Sequence, residues 1–277
     1  MRLRSLLFVP GDRPERMEKA LGLGADALIL DLEDSVSLEK KAEARGAVAA
    51  FLARPGRPVT LFVRINPLDG GMAADDLAAV LPGRPDGIVL PKAEGAASLR
   101  GLDALLGASD ARILPIATET PAAMFRLGEY GGVTERLIGL TWGAEDLPAA
   151  IGARSAREAD GRYTEPYKLA RSLTLFGAAA AGVAPIETVY PDFRDLDGLA
   201  RYAADAARDG FTGMMAIHPA QVAVINAAFT PSDADIAHAR AVVAAFAASP
   251  GAGALSLDGR MIDAPHLKQA ERLLGML

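Results

Sequence analysis

The sequence contains no cysteine, and this absence removes several kinds of chemistry at once. Its 277 residues also include only three histidines, one tryptophan and 5% aromatic residues in all. Without cysteine there is no disulfide, no thiolate nucleophile and no cysteine-ligated metal. Because the three histidines lie far apart in the sequence, we do not expect a zinc or copper site.

The sequence also has fewer basic than acidic residues and lacks long apolar runs. Lysine and arginine total 29 against 35 aspartates and glutamates, which gives a net charge of −6. With no extended basic face, nucleic acid is not expected as a partner. No apolar stretch approaches the length of a membrane span, and the N-terminal run in MRLRSLLFVPGDRPE is too short for a signal peptide. We therefore expect a cytoplasmic protein without a membrane partner.

What the chain does have is a regular alternation of short apolar runs and helical patterns. The hydrophobic fraction of 51% is ample for a large core. Eight strand-to-helix repeats are predicted before about residue 230, which is typical of a (β/α)8 TIM barrel. A doubly wound sheet is the alternative, but no glycine-rich phosphate turn follows the first strand. The predicted strands are Ser5–Pro10, Ala27–Leu32, Thr60–Ile65, Gly87–Leu90, two runs beginning at Ile113 and Leu137, Ala184–Tyr190 and Phe211–Ile217.

The remainder of the chain falls outside this repeat. We expect residues 1–230 to form the barrel and residues 231–277 to form a helical, lid-like C-terminal extension. Within the extension, Asp233–Ala248 has a helical pattern, Gly251–Asp258 is interpreted as a loop, and a second helix follows Pro265 as far as Met276. Such an appendage on a complete barrel is expected to pack on the barrel or on a neighbouring subunit.

Two of the apolar runs end in an acid at the point where the chain must turn. Glu119 follows the run from Ile113, and Asp146 follows the run from Leu137. Acids at the ends of neighbouring buried strands repel each other unless they share a proton or a metal ion. One interpretation is that both bind a single divalent cation. The other is that each carboxylate caps the helix that follows it, and the spacing alone favours neither.

The expected carboxyl ends of the strands carry an unusual mixture of charges. Barrel enzymes place their reactive groups at this end. The mixture favours a metal held by acids and a small anionic substrate held by arginine, and Mg²⁺ suits two carboxylates because it keeps other positions for water and substrate. As a Lewis acid, Mg²⁺ would stabilise an alkoxide or carbonyl oxygen during carbon–carbon cleavage. The charged residues are Arg13, Asp31, Glu33, Asp34, Arg64, Lys92, Glu119, Asp146 and His218.

Eight segments occur in the order and over nearly the whole length expected of one known family. The sequence resembles the CitE-like proteins, the citrate lyase β-subunit branch of the HpcH/HpaI aldolases. The resemblance implies a Mg²⁺-dependent (β/α)8 barrel, usually a homotrimer or hexamer, that cleaves or forms carbon–carbon bonds in acyl-CoA or acyl-carrier thioesters. The matching segments are FVPGDRPERMEKA, LILDLEDSV, VRIN, LPKAE, ETP, WGAEDL, HPAQ and DGRMID.

The resemblance also assigns roles to individual residues. It makes Glu119 and Asp146 the metal ligands, and it places Gly143 and Ala144 of WGAEDL with Glu119 at the substrate. Arg64 would bind the substrate carboxylate or the thioester oxygen; a salt bridge to Asp31 or Glu33 is the alternative. Asp263 matches an acid that related malyl-CoA lyases bring from an adjacent subunit for proton exchange, although it could equally be a helix N-cap.

Two further sets of residues take supporting roles in this comparison. Asp31, Glu33 and Asp34 would orient waters on the metal, or would form only a structural hydrogen-bond network. Arg13 and Arg16 fall where relatives approach the CoA moiety, but a solvated helix face would look the same.

The expected activity is therefore that of a Mg²⁺-dependent carbon–carbon lyase. Its substrate would be a 3-hydroxy-3-carboxylate CoA thioester of the citryl-, malyl- or citramalyl-CoA type, and its products an oxo acid and an acyl-CoA. One alternative is an aldolase acting on free 4-hydroxy-2-oxo acids. The other is a citrate lyase β subunit that is active only within a complex.

Overall fold

Eight parallel strands form the centre of the molecule in a computed structural model that describes residues 2–275. The strands pair in the order β5-β4-β3-β2-β1-β8-β7-β6, and each pair is parallel. They are β1 (Ser5–Pro10), β2 (Ala27–Asp31), β3 (Thr60–Arg64), β4 (Gly87–Leu90), β5 (Arg112–Pro115), β6 (Gly139–Thr141), β7 (Ala184–Glu187) and β8 (Gly213–Ala216).

Contacts between the first and last strands of this order close the sheet. Two isolated parallel bridges, Ile113 with Leu137 and Ile116 with Thr141, join β5 to the segment containing β6. The predicted (β/α)8 barrel is therefore confirmed. Because all strands run in the same direction, their carboxyl ends meet at one end of the barrel.

Helices connect the strands around the outside of this barrel. Most positions agree with the sequence patterns, and proline stands at the start of several helices, where its missing N–H costs nothing. The helices are α1 (Pro14–Ala20), α2 (Lys41–Leu52), α3 (Ala73–Val80), α4 (Ala96–Leu106), α5 (Pro121–Met124), α6 (Asp146–Ile151), α7 (Glu165–Ala181), α8 (Leu196–Asp209) and α9 (Pro219–Ala228). Among residues 2–275, no helix combines the length and the apolar character needed to cross a membrane.

The strands bury both of their faces, which explains why they appear as nearly continuous apolar runs in the sequence. Leu6, Ile29 and Phe62 point into a cluster inside the barrel. Their neighbours Leu7 and Leu28 belong to the larger cluster between the strands and the helices. Strand alternation thus divides the core into two layers.

Two expectations for the barrel helices were wrong. A single helix was predicted near Ala122–Tyr130, but α5 ends at Met124 and a separate short turn follows. Tyr130 is almost fully buried there, and its hydroxyl donates to the carbonyl of Ala93 at 3.1 Å, so tertiary packing diverts the chain. The short helix α6, which begins at Asp146, was not anticipated.

The C-terminal residues form a second compact unit, which begins at Thr230. It contains α10 (Asp233–Ala248), β9 (Ala254–Leu257), β10 (Arg260–Asp263) and α11 (Ala264–Leu274), and the predicted helix end at Met276 lies outside the described residues. The predicted loop Gly251–Asp258 was wrong, because β9 and β10 form an antiparallel hairpin. Asp258 and Gly259 both have positive φ (52° and 74°), the geometry of a two-residue Asp-Gly turn.

A buried polar cluster fixes the segment that follows β6. The indole N–H of Trp142 donates to the carboxylate of Glu187, the last residue of β7. The same carboxylate accepts from the Tyr202 hydroxyl at 2.9 Å and from Arg171 Nε at 2.6 Å. Glu187 is fully buried, so Arg171 is the cation that compensates its charge.

We expect Arg171→Met to destabilise the barrel by about 3 kcal/mol, because it leaves the buried Glu187 carboxylate without its cation. Urea unfolding followed by far-UV circular dichroism measures the change. Arg162→Met removes an exposed ion pair with Asp160 and should change the free energy of unfolding by less than about 0.5 kcal/mol. Equal effects of the two substitutions would contradict this account of Glu187.

Candidate active site at the carboxyl end of the barrel

A cavity of about 380 Å³ lies at the carboxyl ends of the strands. It is where a barrel fold is expected to hold reactive groups. Its lining brings together most of the predicted site residues. The lining residues are Phe8, Pro10, Asp31, Asp34, Ser35, Arg64, Ile116, Glu119, Gly143, Ala144, Glu145, Asp146, Thr188, Val189, Met215 and Ile217.

Glu119 is a deeply buried acid in the lining of this cavity. Its side chain is 4% exposed, and Oε2 accepts a hydrogen bond of 2.6 Å from the backbone N–H of Lys92. Burial, followed by the charges of Glu33 and Asp146, raises the pKa of Glu119 to about 8. The carboxylate form is thus disfavoured until a cation approaches it.

Lys92 supplies both a backbone and a side-chain contact to this acidic region. Its φ of 50° lies in the left-handed region, which costs a residue with a Cβ about 1 kcal/mol. Its ammonium lies 2.8 Å from Glu33 Oε1 and 3.3 Å from Asp146 Oδ1. Burial opposes the charged form, but the hydrogen bond and charge of Glu33 raise the pKa of Lys92 above its usual value. Lys92 therefore links two carboxylates to the backbone donor that holds Glu119.

Gly143 is required by the position of the Glu119 side chain. A Cβ atom added at Gly143 would lie 2.6 Å from Glu119 Cγ and 3.1 Å from its Oε1. The neighbouring Trp142 is held by Glu187, and Gly143 exchanges 3.1 Å hydrogen bonds with the Thr118 hydroxyl. The backbone after β6 is therefore fixed against the carboxylate, and Gly143 and Ala144 line the cavity as expected.

The helix-capping interpretation of the two acids was wrong. The cap of α5 is Thr120, whose hydroxyl accepts from the N–H of Ala123 at 3.1 Å. At α6 the N-cap residue is Glu145, and no side-chain hydrogen bond caps the helix. Glu119 and Asp146 both line the cavity instead, where the charge of Asp146 contributes to the raised pKa of Glu119.

Arg64 lies beside these acids in a dense ionic network. Its Nε and Nη2 donate to the two oxygens of Asp31 at 2.7 Å each, and its Nη1 lies 2.9 Å from Glu33 Oε2. Burial would raise the pKa of Asp31, but Arg64 holds it below its usual value. For Glu33, burial wins over Arg64 and Lys92 and raises the pKa. The alternative salt bridge to Asp31 and Glu33 is therefore present, while Arg64 also lines the cavity.

The three predicted acids after β2 do not have equal positions. Asp31 is buried and accepts from the backbone N–H groups of Glu33 and Ser35, which makes it the anchor of the turn. Asp34 lies 3.5 Å from Arg64 and is 60% exposed at the cavity mouth. Lys41, which the sequence reasoning missed, donates to the carbonyl oxygens of Leu32 and Glu33 and supports this turn from below.

Four predicted site residues lie outside the cavity lining. Glu33 is one of them, although it contacts both Arg64 and Lys92. Arg13 and Arg16 are exposed at the start of α1, and Arg13 lies 3.6 Å from Asp12. Asp263 belongs to the C-terminal unit, where it is the N-cap residue of α11 and its Oδ1 lies 2.5 Å from His266 Nδ1. Within its own chain, Asp263 is therefore at the helix N-cap position that the sequence offered as the alternative.

Sequence reasoning also missed residues that complete the cavity. Glu145 lines it directly, and Glu187 holds Trp142 in place. The signal for Glu187 was present in the sequence, because an acid within an apolar strand run, APIETV, needs a buried partner.

The donor set suits a hard cation with open coordination positions. In residues 2–275 no cluster of three or more histidine, cysteine or acidic side chains is arranged to hold a metal. Glu119 and Asp146 would supply two carboxylates, which is the usual protein share for Mg²⁺. The raised pKa of Glu119 fits such an ion, because a bound cation would stabilise the ionised carboxylate.

Comparison with known proteins agrees with the fold. The family model HpcH/HpaI aldolase/citrate lyase matches residues 4–219. A citrate lyase subunit beta-like protein of Mycobacterium tuberculosis is 40% identical over 97% of this chain and 93% of its own. The mitochondrial citramalyl-CoA lyase of Mus musculus is 36% identical over 98% of this chain and 85% of its own.

A solved structure supports the same relationship. CitE from Mycobacterium tuberculosis, in complex with magnesium, acetoacetate and coenzyme A, superimposes with a TM-score of 0.84 at 37% identity, covering 99% of this chain and 98% of that one. Fold and site thus define a (β/α)8 barrel with an acidic cavity at its carboxyl end. The chain belongs to the HpcH/HpaI aldolase/citrate lyase family.

We expect Gly143→Ala to weaken Mg²⁺ binding between about 10- and 100-fold, because the new methyl group displaces the Glu119 carboxylate. Isothermal titration calorimetry with MgCl₂ measures this affinity. The matched control is Gly128→Ala, where an added Cβ meets no atom within 4 Å. Unchanged affinity in Gly143→Ala, with folding intact, would contradict the close approach described here.

Proposed function

We propose that this protein is a Mg²⁺-dependent carbon–carbon lyase that cleaves a 3-hydroxy-3-carboxylate acyl-CoA thioester. The observation that carries the proposal is the meeting of Glu119 and Asp146 beside Arg64 in one cavity at the carboxyl end of the barrel. The relatives named as citrate lyase β-like protein and citramalyl-CoA lyase support this reaction class. The products would be an oxo acid and an acyl-CoA.

Glu119 and Asp146 would hold the magnesium ion. When bound, Mg²⁺ supplies Lewis-acid stabilisation of the oxygen on the carbinol carbon and fixes the adjacent carboxylate. The bound CitE relative, which contains magnesium, supports this choice of metal. Asp31, Glu33 and Asp34 would orient surrounding water, with Asp31 acting mainly through Arg64.

Arg64 would orient the substrate and stabilise negative charge on it. In the proposed cleavage the hydroxyl group gives its proton to solvent water, a new C=O bond forms, and the neighbouring C–C bond breaks. The electrons of that bond move to the thioester as an enolate, whose oxygen Arg64 would neutralise through a charged hydrogen bond. Gly143 and Ala144 would bring backbone close to the oxo acid without side-chain bulk.

The enolate carbon then needs a proton, for which we propose Asp263. Its carboxyl group would give a proton to the α-carbon, which releases the acyl-CoA, and the resulting carboxylate would take a proton back from solvent. The resemblance to malyl-CoA lyases favours an Asp263 that arrives from an adjacent subunit. Arg13 and Arg16, exposed near the cavity rim at Pro10, would contact the CoA phosphates.

The proposed sharing of the active site between subunits also predicts an oligomer. A shared active site needs a closed oligomer, and we propose a homotrimer or hexamer. The cytoplasmic location that we propose rests on the sequence alone. Size-exclusion chromatography with light scattering measures the subunit number.

Removal of Mg²⁺ and substitution of either proposed metal ligand should each abolish or strongly reduce the lyase activity. We expect EDTA to abolish cleavage of the preferred thioester and excess Mg²⁺ to restore it. Glu119→Gln and Asp146→Asn should each lower kcat/KM by about a thousandfold or more, because the ion loses a charged ligand. A coupled assay of the released oxo acid measures the rate, and Glu135→Gln, at an exposed site, serves as the control.

Activity of Glu119→Gln that survives chelation would contradict the proposal. Cleavage of free 4-hydroxy-2-oxo acids without CoA would favour an aldolase. Mg²⁺-dependent binding of oxo acids without any turnover would favour a subunit that is active only within a complex.

A mixing experiment tests the origin of Asp263. Alone, Glu119→Gln and Asp263→Asn should both be inactive. Mixed in equal amounts under subunit exchange, they should recover about one quarter of the wild-type activity, because some sites combine an intact Glu119 with an intact Asp263 from the neighbour. No recovery despite mass-spectrometric evidence of mixed oligomers would place Asp263 in its own subunit's site or outside catalysis.

A further inference from the structure

The cavity lining separates into a charged side and an apolar side. The charged residues lie at the ends of β2, β3, β5 and β6: Asp31, Asp34, Arg64, Glu119, Glu145 and Asp146. Most of the apolar ones lie at the ends of β1, β7 and β8: Phe8, Pro10, Val189, Met215 and Ile217. Since β7, β8 and β1 are consecutive neighbours in the barrel, these residues form one continuous surface, which we call the apolar wall.

Charge within the cavity is strongly unbalanced. Among the described residues that line it, Arg64 is the one with a cationic side chain, against five acids. Arg64 is already bonded to Asp31, and Lys92 nearby is engaged with Glu33 and Asp146. Even with a divalent cation bound, the lining keeps an excess of negative charge.

A substrate bound at the charged side of the cavity directs the third substituent of its carbinol carbon away from the charged residues. The carboxylate and the hydroxyl oxygen of the carbinol carbon would face Glu119, Asp146 and Arg64. The third substituent of that carbon is hydrogen in malyl-CoA, methyl in citramalyl-CoA and carboxymethyl in citryl-CoA. The rest of the cavity is the apolar wall, whose own residues carry no cation. Arg64 Cζ lies 4.8 Å from the ring centroid of Phe8, but its guanidinium is already bonded to Asp31 and Glu33.

We propose that the apolar wall selects the substituent on the carbinol carbon, accepting hydrogen or a small alkyl group and rejecting carboxymethyl. The proposal rests on the lyase function above and specifies its substrate as a citramalyl- or malyl-type thioester. Its oxo-acid product is then a monocarboxylate such as pyruvate.

The expected preference among the three thioesters follows from the cost of burying a carboxylate and the gain from burying a methyl group. A carboxylate placed against Val189 and Met215 loses its hydration, gains no charged partner on the wall and is repelled by the acids of the charged side. A methyl group at the same place gains roughly fourfold in affinity over hydrogen from burial. We therefore expect kcat/KM for citramalyl-CoA to exceed that for citryl-CoA by at least about 100-fold.

The first test compares the three thioesters on the Mg²⁺-loaded protein. Steady-state assays give kcat/KM for citramalyl-, malyl- and citryl-CoA. Calorimetric titration with pyruvate, 2-oxobutanoate and oxaloacetate gives the affinities of the oxo acids, and we expect pyruvate to bind at least about tenfold more tightly than oxaloacetate. Equal or better performance of citryl-CoA and oxaloacetate would overturn the proposal.

A reversal variant tests the wall directly. Val189→Lys places a cation on the apolar wall and should raise the oxaloacetate-to-pyruvate affinity ratio by at least about tenfold. Val189→Met keeps the length without the charge and should leave the ratio unchanged within about twofold. Should Val189→Lys fail to fold, Ile217→Lys offers the same charge at a position that is 41% exposed. No change of the ratio in a folded lysine variant would overturn the proposal.

Results that overturn the role of the apolar wall can be distinguished from results that overturn the proposed lyase activity. If no thioester is cleaved and no oxo acid binds with Mg²⁺, the proposed function itself is wrong. If thioesters are cleaved with citryl-CoA preferred, the function stands and the role of the apolar wall is wrong.

Discussion

The buried carboxylate of Glu119 is the constraint on which the site depends. Burial and the nearby charges of Glu33 and Asp146 all disfavour its ionised form, and only the N–H and ammonium of Lys92 oppose them. A divalent cation between Glu119 and Asp146 would relieve this repulsion. Relief of this repulsion would contribute to the affinity of the proposed site for an ion.

Much of the surrounding structure serves to hold that carboxylate and its neighbours in position. Gly143 leaves the space that the Glu119 side chain occupies, and Lys92 adopts a left-handed backbone that directs its N–H at Oε2. Behind them, Trp142 is fixed by Glu187, which ties the segment after β6 to β7. Arg64 is oriented by two hydrogen bonds to Asp31, so its guanidinium faces the cavity with little freedom.

The sequence predicted the barrel and the main residues of the cavity, for identifiable reasons. Strands buried on both faces leave apolar runs, and an acid at the end of such a run marks the carboxyl edge, as Glu119 and Asp146 do. Features that depend on tertiary contacts were missed. The break in the helix before Tyr130 follows from a hydrogen bond to Ala93, distant in sequence. The hairpin at Asp258 was signalled by its Asp-Gly pair but was interpreted as a loop.

The most direct test of the account is the position of the metal. Crystals soaked with Mn²⁺ and pyruvate would be measured near the manganese absorption edge to locate the ion by anomalous scattering. We expect one strong peak within coordination distance of Glu119 and Asp146, with the pyruvate carboxylate on the side of Arg64. A peak at other residues, or none although pyruvate is bound, would contradict it.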